Sequence, residues 1–337
     1  MSVFASIYGC EGTGLSEREA RFFRDVRPWG FILFARNISD PEQVRRLVGK
    51  LREAAGHEAE ILIDQEGGRV QRLAPPHWRG FPPGRWYGSI YERDAKAGLG
   101  AARLGAMLIA SELRDLGITV DCLPVLDVPV PGAHDVIGDR AYADRPEPVS
   151  ALGRAAAEGV LAGGVLPIVK HIPGHGRAGV DSHKSLPVVD TPAEELERID
   201  FVPFRDLRDM PLAMTAHVVY SAIDPDRPAT TSPVVIEKVI RGFIGFEGLL
   251  MSDDLSMEAL SGTLAERARA SLAAGCDLVL HCNGKMTEME AIAAEVPILS
   301  SRASELTEKA VSLRKDALVS FDLDDARCQF DALTATS

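Results

Sequence analysis

The chain has 337 residues, 46% hydrophobic and 26% charged, which is enough for a large core and well inside the globular range. Lys and Arg number 37 against 49 Asp and Glu, a formal net charge of −12, and no basic run offsets it, so nucleic acid is excluded as an expected partner. Apolar runs break at Gly, Pro or charge well short of the roughly 20 residues a membrane span needs, and the amino terminus lacks a signal-peptide pattern.

In chain order, short apolar runs read as strands at 4–8, 30–34, 61–63, 119–123, 166–169, 212–214, 249–251 and 278–280. Helical patterns lie between them. Ser16 followed by Glu19 opens one with a cap-like pair, and Pro41 stands in the first turn of the next, 41–55. Others run over 94–116, 148–162, 233–241 and 264–274. No linker, charge run or repeat divides the chain, and a helical segment from about residue 285 closes it. The expected architecture is one domain over 1–337.

Alternating strands and helices fit both a doubly wound open sheet and a (β/α)₈ barrel. The polar residues separate the two. Asn37, Asp64, Asp127, Lys170, His171, His217, Asp253 and His281 all follow apolar runs at their C-terminal ends. A barrel gathers those ends round one pocket, whereas an open sheet spreads them along an edge. The expected fold is therefore a single-domain (β/α)₈ barrel of the TIM type.

Five cysteines, an odd number without a CxxC pair, argue against a disulfide framework and a thiolate zinc site, and for a reduced, cytoplasmic protein.

Three segments carry candidate chemistry. KHIPGHGRAGVDSHKSLP (170–187) places Asp181 two residues before His183 on a glycine-rich loop. A carboxylate holding one imidazole nitrogen leaves the other to give or take a proton. The plainer alternative is a loop histidine that only bonds to structure. Ligation of a metal by His171, His175 and His183 lacks a helical HExxH pattern and an obvious carboxylate ligand, so no metal or other cofactor is expected. In GFEGLLMSDDLSMEAL (245–260), adjacent acids follow an apolar strand. Strand alternation sends Asp253 and Asp254 different ways, one into a pocket and one capping a helix expected to start near Leu255. Both could instead be caps. LIDQEGGRVQRL (62–73) sets Asp64 at a strand end, with Arg72 across a Gly-Gly turn. Such an Asp can accept a pair of sugar hydroxyls, or it can simply bridge to the arginine. Arg140 in PGAHDVIGDRAYA and His217 in MTAHV are weaker signals alone.

Together the DQEGGRVQRL, KHIPGHG…DSH, MTAHV and SDDLSM motifs, in that order, resemble glycoside hydrolase family 3, in particular its single-domain bacterial β-N-acetylglucosaminidases. The likeness spans roughly residues 4–279; Ile172 stands where Phe is common, and Arg177-Ala178-Gly179 replaces a more acidic stretch. It implies a retaining mechanism with Asp253 as nucleophile and the Asp181–His183 pair as general acid/base. It implies too that Asp64, Arg72, Arg140, Lys170 and His171 form the sugar subsite, with His217 near the nucleophile. The implied substrate is a small molecule, an N-acetylglucosaminyl anhydro-muropeptide of cell-wall recycling, acted on by a cytoplasmic monomer. Two other readings stay open: a phosphorylase using phosphate in place of water, and a silent barrel that only binds wall fragments.

Overall fold

The computed structural model describes residues 2–182 and 185–335. Among them, eight strands close a barrel: β1 (Phe4–Tyr8), β2 (Pro28–Leu33), β3 (Glu60–Ile63), β4 (Val120–Asp121), β5 (Leu166–Ile172), β6 (Leu212–Thr215), β7 (Leu249–Asp254) and β8 (Leu278–His281). Every pairing is parallel, and β8 returns to β1 through Ser6 opposite Val279. Strands buried on both faces need continuous apolar runs, which is why they were legible as short blocks of Ile, Leu and Val. Ile7, Leu33, Ile61, Ile63, Leu166, Ile168, Leu249 and Leu250 are fully buried, each contributing about 1.5–3 kcal/mol.

Local chemistry sets the helix ends. Ser16 and Glu19 form a reciprocal capping box before Glu17–Val26, and Thr263 and Glu266 do the same before Leu264–Ala274. Asp40 caps Pro41–Ala55, which stops at Gly56 in the left-handed region. Pairing with β8 shifts register between Met251 and Asp254, and β5 shifts against β6 between Lys170 and Ile172. Both irregularities lie where site residues leave the barrel, and bulges re-aim side chains in this way.

The expected helix near Leu255 is not there. Asp254 accepts from Ser256 N and Cys282 N, the chain turns, and the helix waits for the Thr263 box. The segment expected as a helix over 233–241 runs as a π-helix, Val235–Phe243. After β8 come helices Met286–Ala293, Ser301–Ala317 and Leu323–Ala335. The second is tied to the barrel by Arg314 on Glu60, at 2.6 Å, and the third buries Phe330 against Phe81, Trp86 and Tyr87. No helix among the described residues is long and apolar enough to cross a membrane.

Candidate active site

The chain leaves β3 into a tight hairpin, Gln65–Gly67 paired with Val70–Gln71. Gln65 is turned into structure. Its backbone nitrogen donates to Asp121 Oδ1, its Oε1 accepts from Arg72 N and Leu73 N, and its Nε2 donates to the Leu73 carbonyl. Asp64 and Glu66, on either side of it, both meet Lys170. The Lys170 Nζ is 2.9 Å from Asp64 Oδ1 and 2.6 Å from Glu66 Oε1, with the lysine side chain only 2% exposed. Arg72 completes Asp64 at 3.1 Å, and Arg140 grips Glu66 with two bonds of 2.8 Å. Gly67 has φ +95°, and a Cβ there would stand 2.3 Å from the Pro82 carbonyl, so this turn requires glycine.

These five side chains form a cradle of three cations and two carboxylates. Burial alone would raise both acids; Lys170 and Arg72 overcome it and hold Asp64 well below the usual carboxylate range, while Arg140 and Lys170 bring Glu66 down to about 2. Burial likewise opposes the Lys170 ammonium, and Asp64 and Glu66 reverse that and keep it charged.

Beside the cradle, Asp127 organises two histidines. Its Oδ2 lies 2.7 Å from His171 Nδ1, and its Oδ1 accepts from the backbone nitrogens of His171 and His175 at 3.2 and 2.7 Å. A carboxylate on Nδ1 holds a proton there and fixes the orientation of the ring. Burial opposes ionisation of Asp127, but His171 and His175 bring it to about 2. His175 is itself buried, and burial, reinforced by His171, lowers it to about 4. A Cβ on Gly176 would lie 2.0 Å from the Val128 carbonyl, so only glycine lets this loop close onto the chain after Asp127.

Across the mouth, the adjacent acids ending β7 divide their work. Asp254 is consumed by its turn, accepting from Ser256 N and Cys282 N at 3.1 Å each and from Ser256 Oγ at 2.5 Å. Asp253 stands half-buried at the strand end and accepts from Asp254 N at 2.8 Å. His217 is fully buried and locked between Thr230 Oγ1, at 2.7 Å, and the Asp254 carbonyl, at 3.0 Å. Burial lowers its pKa, the Asp253 charge opposing, so it braces the end of β7 as a neutral ring.

The barrel thus brings Asp64, Arg72, Arg140 and Lys170 into one network, with His171 adjoining and His217 beside the Asp253–Asp254 pair. Asp181 lies half-buried on the loop leaving β5, and His183 lies outside the described residues. Other strand-end residues serve structure. Asn37 donates to the Cys10 and Gly12 carbonyls, and His281 is fully buried behind Asp254 and Glu288. Glu66 was missed, although its place two residues after Asp64, on the same strand face, was the available signal. Asp127 was noted only as a strand end; nothing local shows that it holds two histidines. Among the described residues, no group of three or more His, Cys, Asp or Glu could hold a metal ion.

Comparison with known proteins gives this geometry its family. Residues 16–314 match the Glycosyl hydrolase family 3 N terminal domain. A β-hexosaminidase from Alkalilimnicola ehrlichii is 43% identical over 279 residues, 82% of this chain and 79% of that protein. Another, from Methylococcus capsulatus, is 42% identical over 276 residues, 81% of this chain and 80% of its own length. The crystal structure of NagZ from Neisseria gonorrhoeae in complex with N-trifluoroacetyl-D-glucosamine superposes with a TM-score of 0.88 at 31% identity, covering 99% of this chain and 98% of that one. With the family domain spanning most of its length, the chain belongs to glycosyl hydrolase family 3 and is a glycoside hydrolase.

Proposed function

We propose that this glycoside hydrolase is a retaining exo-β-N-acetylglucosaminidase that releases N-acetylglucosamine from β-1,4-linked anhydro-muropeptides during cytoplasmic peptidoglycan recycling. The observation that carries the reading is the division between Asp253 and Asp254, one acid at the barrel mouth and its neighbour consumed by the turn, with the charged cradle at the end of the strand opposite in the barrel. Family relatives named as β-hexosaminidases support it, as does a neighbour crystallised with a 2-amido glucose derivative.

In this reading Asp253 attacks the anomeric carbon while His183 gives its proton to the departing glycosidic oxygen. Water then attacks the glycosyl–Asp253 ester, losing its proton to His183, and both residues return to their starting state. Asp181 orients the imidazole and stabilises its charged form. An imidazole whose ordinary pKa is near 6.5 is suited to both halves of the cycle near neutrality. Asp64, with Arg72 and Lys170 fixing its oxygens, takes sugar hydroxyls; Arg140, Lys170 and His171 line the rest of the subsite.

Turnover of an aryl N-acetylglucosaminide against the matching aryl glucoside tests the substrate. The 2-acetamido sugar is expected to be favoured in kcat/KM by one to a few decades, because a polar group left unpaired in a buried subsite costs about 1–3 kcal/mol. Equal rates on the two would overturn it. Trapping with a fluorinated sugar should label the peptide containing Asp253.

A further inference from the structure

The loop leaving β5 reaches the half-buried Asp181 and packs back on the barrel directly after it. It returns at Ser182. This residue is 3% exposed, although Val180 and Leu186 on the same loop are 40% and 39% exposed. Two bonds reach it from opposite sides. The Ser182 Oγ lies 3.1 Å from His175 Nε2, and the Ser182 carbonyl accepts from Ala259 N at 3.2 Å. His175 is in turn fixed by its backbone nitrogen to Asp127, and Ala259 belongs to the turn that follows Asp253.

We infer that Ser182 is a positioning residue: through the His175–Ser182 hydrogen bond it latches the proton-transfer loop to Asp127 on one side and to the turn after the nucleophile on the other. The inference rests on the reading of Asp181 and His183 as the acid/base pair. Ser182 stands between them in the chain, so an anchor on its side chain constrains the backbone on which the pair depends. Its hydroxyl is engaged by His175, which makes its role one of positioning. Its contribution is geometric: a proton donor must stand within hydrogen-bond reach of the oxygen it serves, and a displacement of about 1 Å can cost a hundredfold.

The test is kcat/KM over aryl N-acetylglucosaminides with graded leaving-group pKa, in the wild type and in Ser182→Ala, His175→Ala, His175→Gln and His183→Ala. Ser182→Ala keeps the backbone bond to Ala259, and its folding is checked by Tm. It should lose about tenfold on the poorest leaving group, the scale of one ordinary buried hydrogen bond, and almost nothing on the best. His175→Ala should give the same tilt, with no further loss in the double variant. His175→Gln, whose amide nitrogen falls near the imidazole Nε2, should restore much of it. A uniform loss in Ser182→Ala beside a steep slope in His183→Ala overturns the latch and leaves the acid/base assignment standing. A flat slope in both overturns that assignment as well, and the latch with it.

Discussion

Two regions of the barrel mouth are built by different physics. The cradle of Asp64, Glu66, Lys170, Arg72 and Arg140 is held by ion pairs inside the barrel rim, where charges attract strongly and each acid is gripped from two sides. The loop leaving β5 is pinned at its root by Arg177 on Asp200 and Glu195, at 2.7 and 2.9 Å, and further out it is tied at Ser182 by neutral hydrogen bonds of about 1 kcal/mol each, with Val180 and Leu186 exposed to solvent. A cradle whose groups are already charged and paired needs no reorganisation to receive a sugar. The proton donor proposed on this loop must give, wait and take back, and a segment tethered lightly beyond its Arg177 root suits that task.

The largest effect is expected at Asp253, which belongs to neither region. On the proposed mechanism Asp253→Ala should remove turnover altogether, a loss of four decades or more on any aryl glycoside, because Asp254 is committed to its turn and could not replace the proposed nucleophile. Retained activity at a few per cent would move the nucleophile elsewhere. Next, Lys170→Met strands two buried carboxylates without their shared cation. The expected cost is about 3–5 kcal/mol in unfolding free energy, read by denaturant titration, with weaker binding of N-acetylglucosamine by calorimetry. A loss of binding with unchanged stability would show that the lysine serves ligand alone. His183→Ala touches the other region. It should lower kcat/KM on a natural disaccharide roughly a hundredfold while leaving a nitrophenyl substrate's glycosylation step almost intact. Equal losses on both would assign the proton to another group.

The positions of all eight strands were legible because a closed parallel barrel demands apolar runs on both faces of every strand. Helix starts with a side-chain signature, Ser16 with Glu19 and Asp40 before Pro41, were legible for the same local reason. The helices after β8 carried no comparable stripe: Ser301–Ala317 buries only Ala303 and Ala310, and Leu323–Ala335 only Ala326 and Phe330. Within the site, residues at strand ends could be found one at a time, but their partners could not. Glu66 meets Arg140 from 74 residues away, and Asp127 meets His171 across 44, so the pairing exists only once the barrel closes. The bulges at Asp253 and His171 also escape strand alternation, which assumes an unbroken ladder.

The smallest effect separates the two regions by pH. Glu66 and Asp127 both fall to about 2 in the fold, from ordinary values near 4. A depressed acid stabilises the fold above its unfolded pKa and loses that contribution as pH falls, so this share disappears between about 4.5 and 2. His175 falls to about 4 from 6.5, mainly by burial. There the unfolded chain binds the proton first, so its share is complete above 6.5 and is lost between 6.5 and about 4. Three other groups work against it. Burial raises Asp200 to about 6, despite Arg177, Glu112 to about 7, and Asp121 well above the usual carboxylate range, and all three take protons more readily folded than unfolded. The raw stability curve therefore mixes opposing signs, and a difference is needed. The Tm of the wild type minus that of His175→Gln should be constant above pH 6.5 and fall steadily to about pH 4, below which the share of Asp127, which His175 helps to lower, enters as well. The opposing carboxyls are common to both proteins and cancel. A difference that stays flat through that window would mean that His175 titrates as it does in the unfolded chain, and that the loop is tethered more loosely than its bond to Ser182 implies.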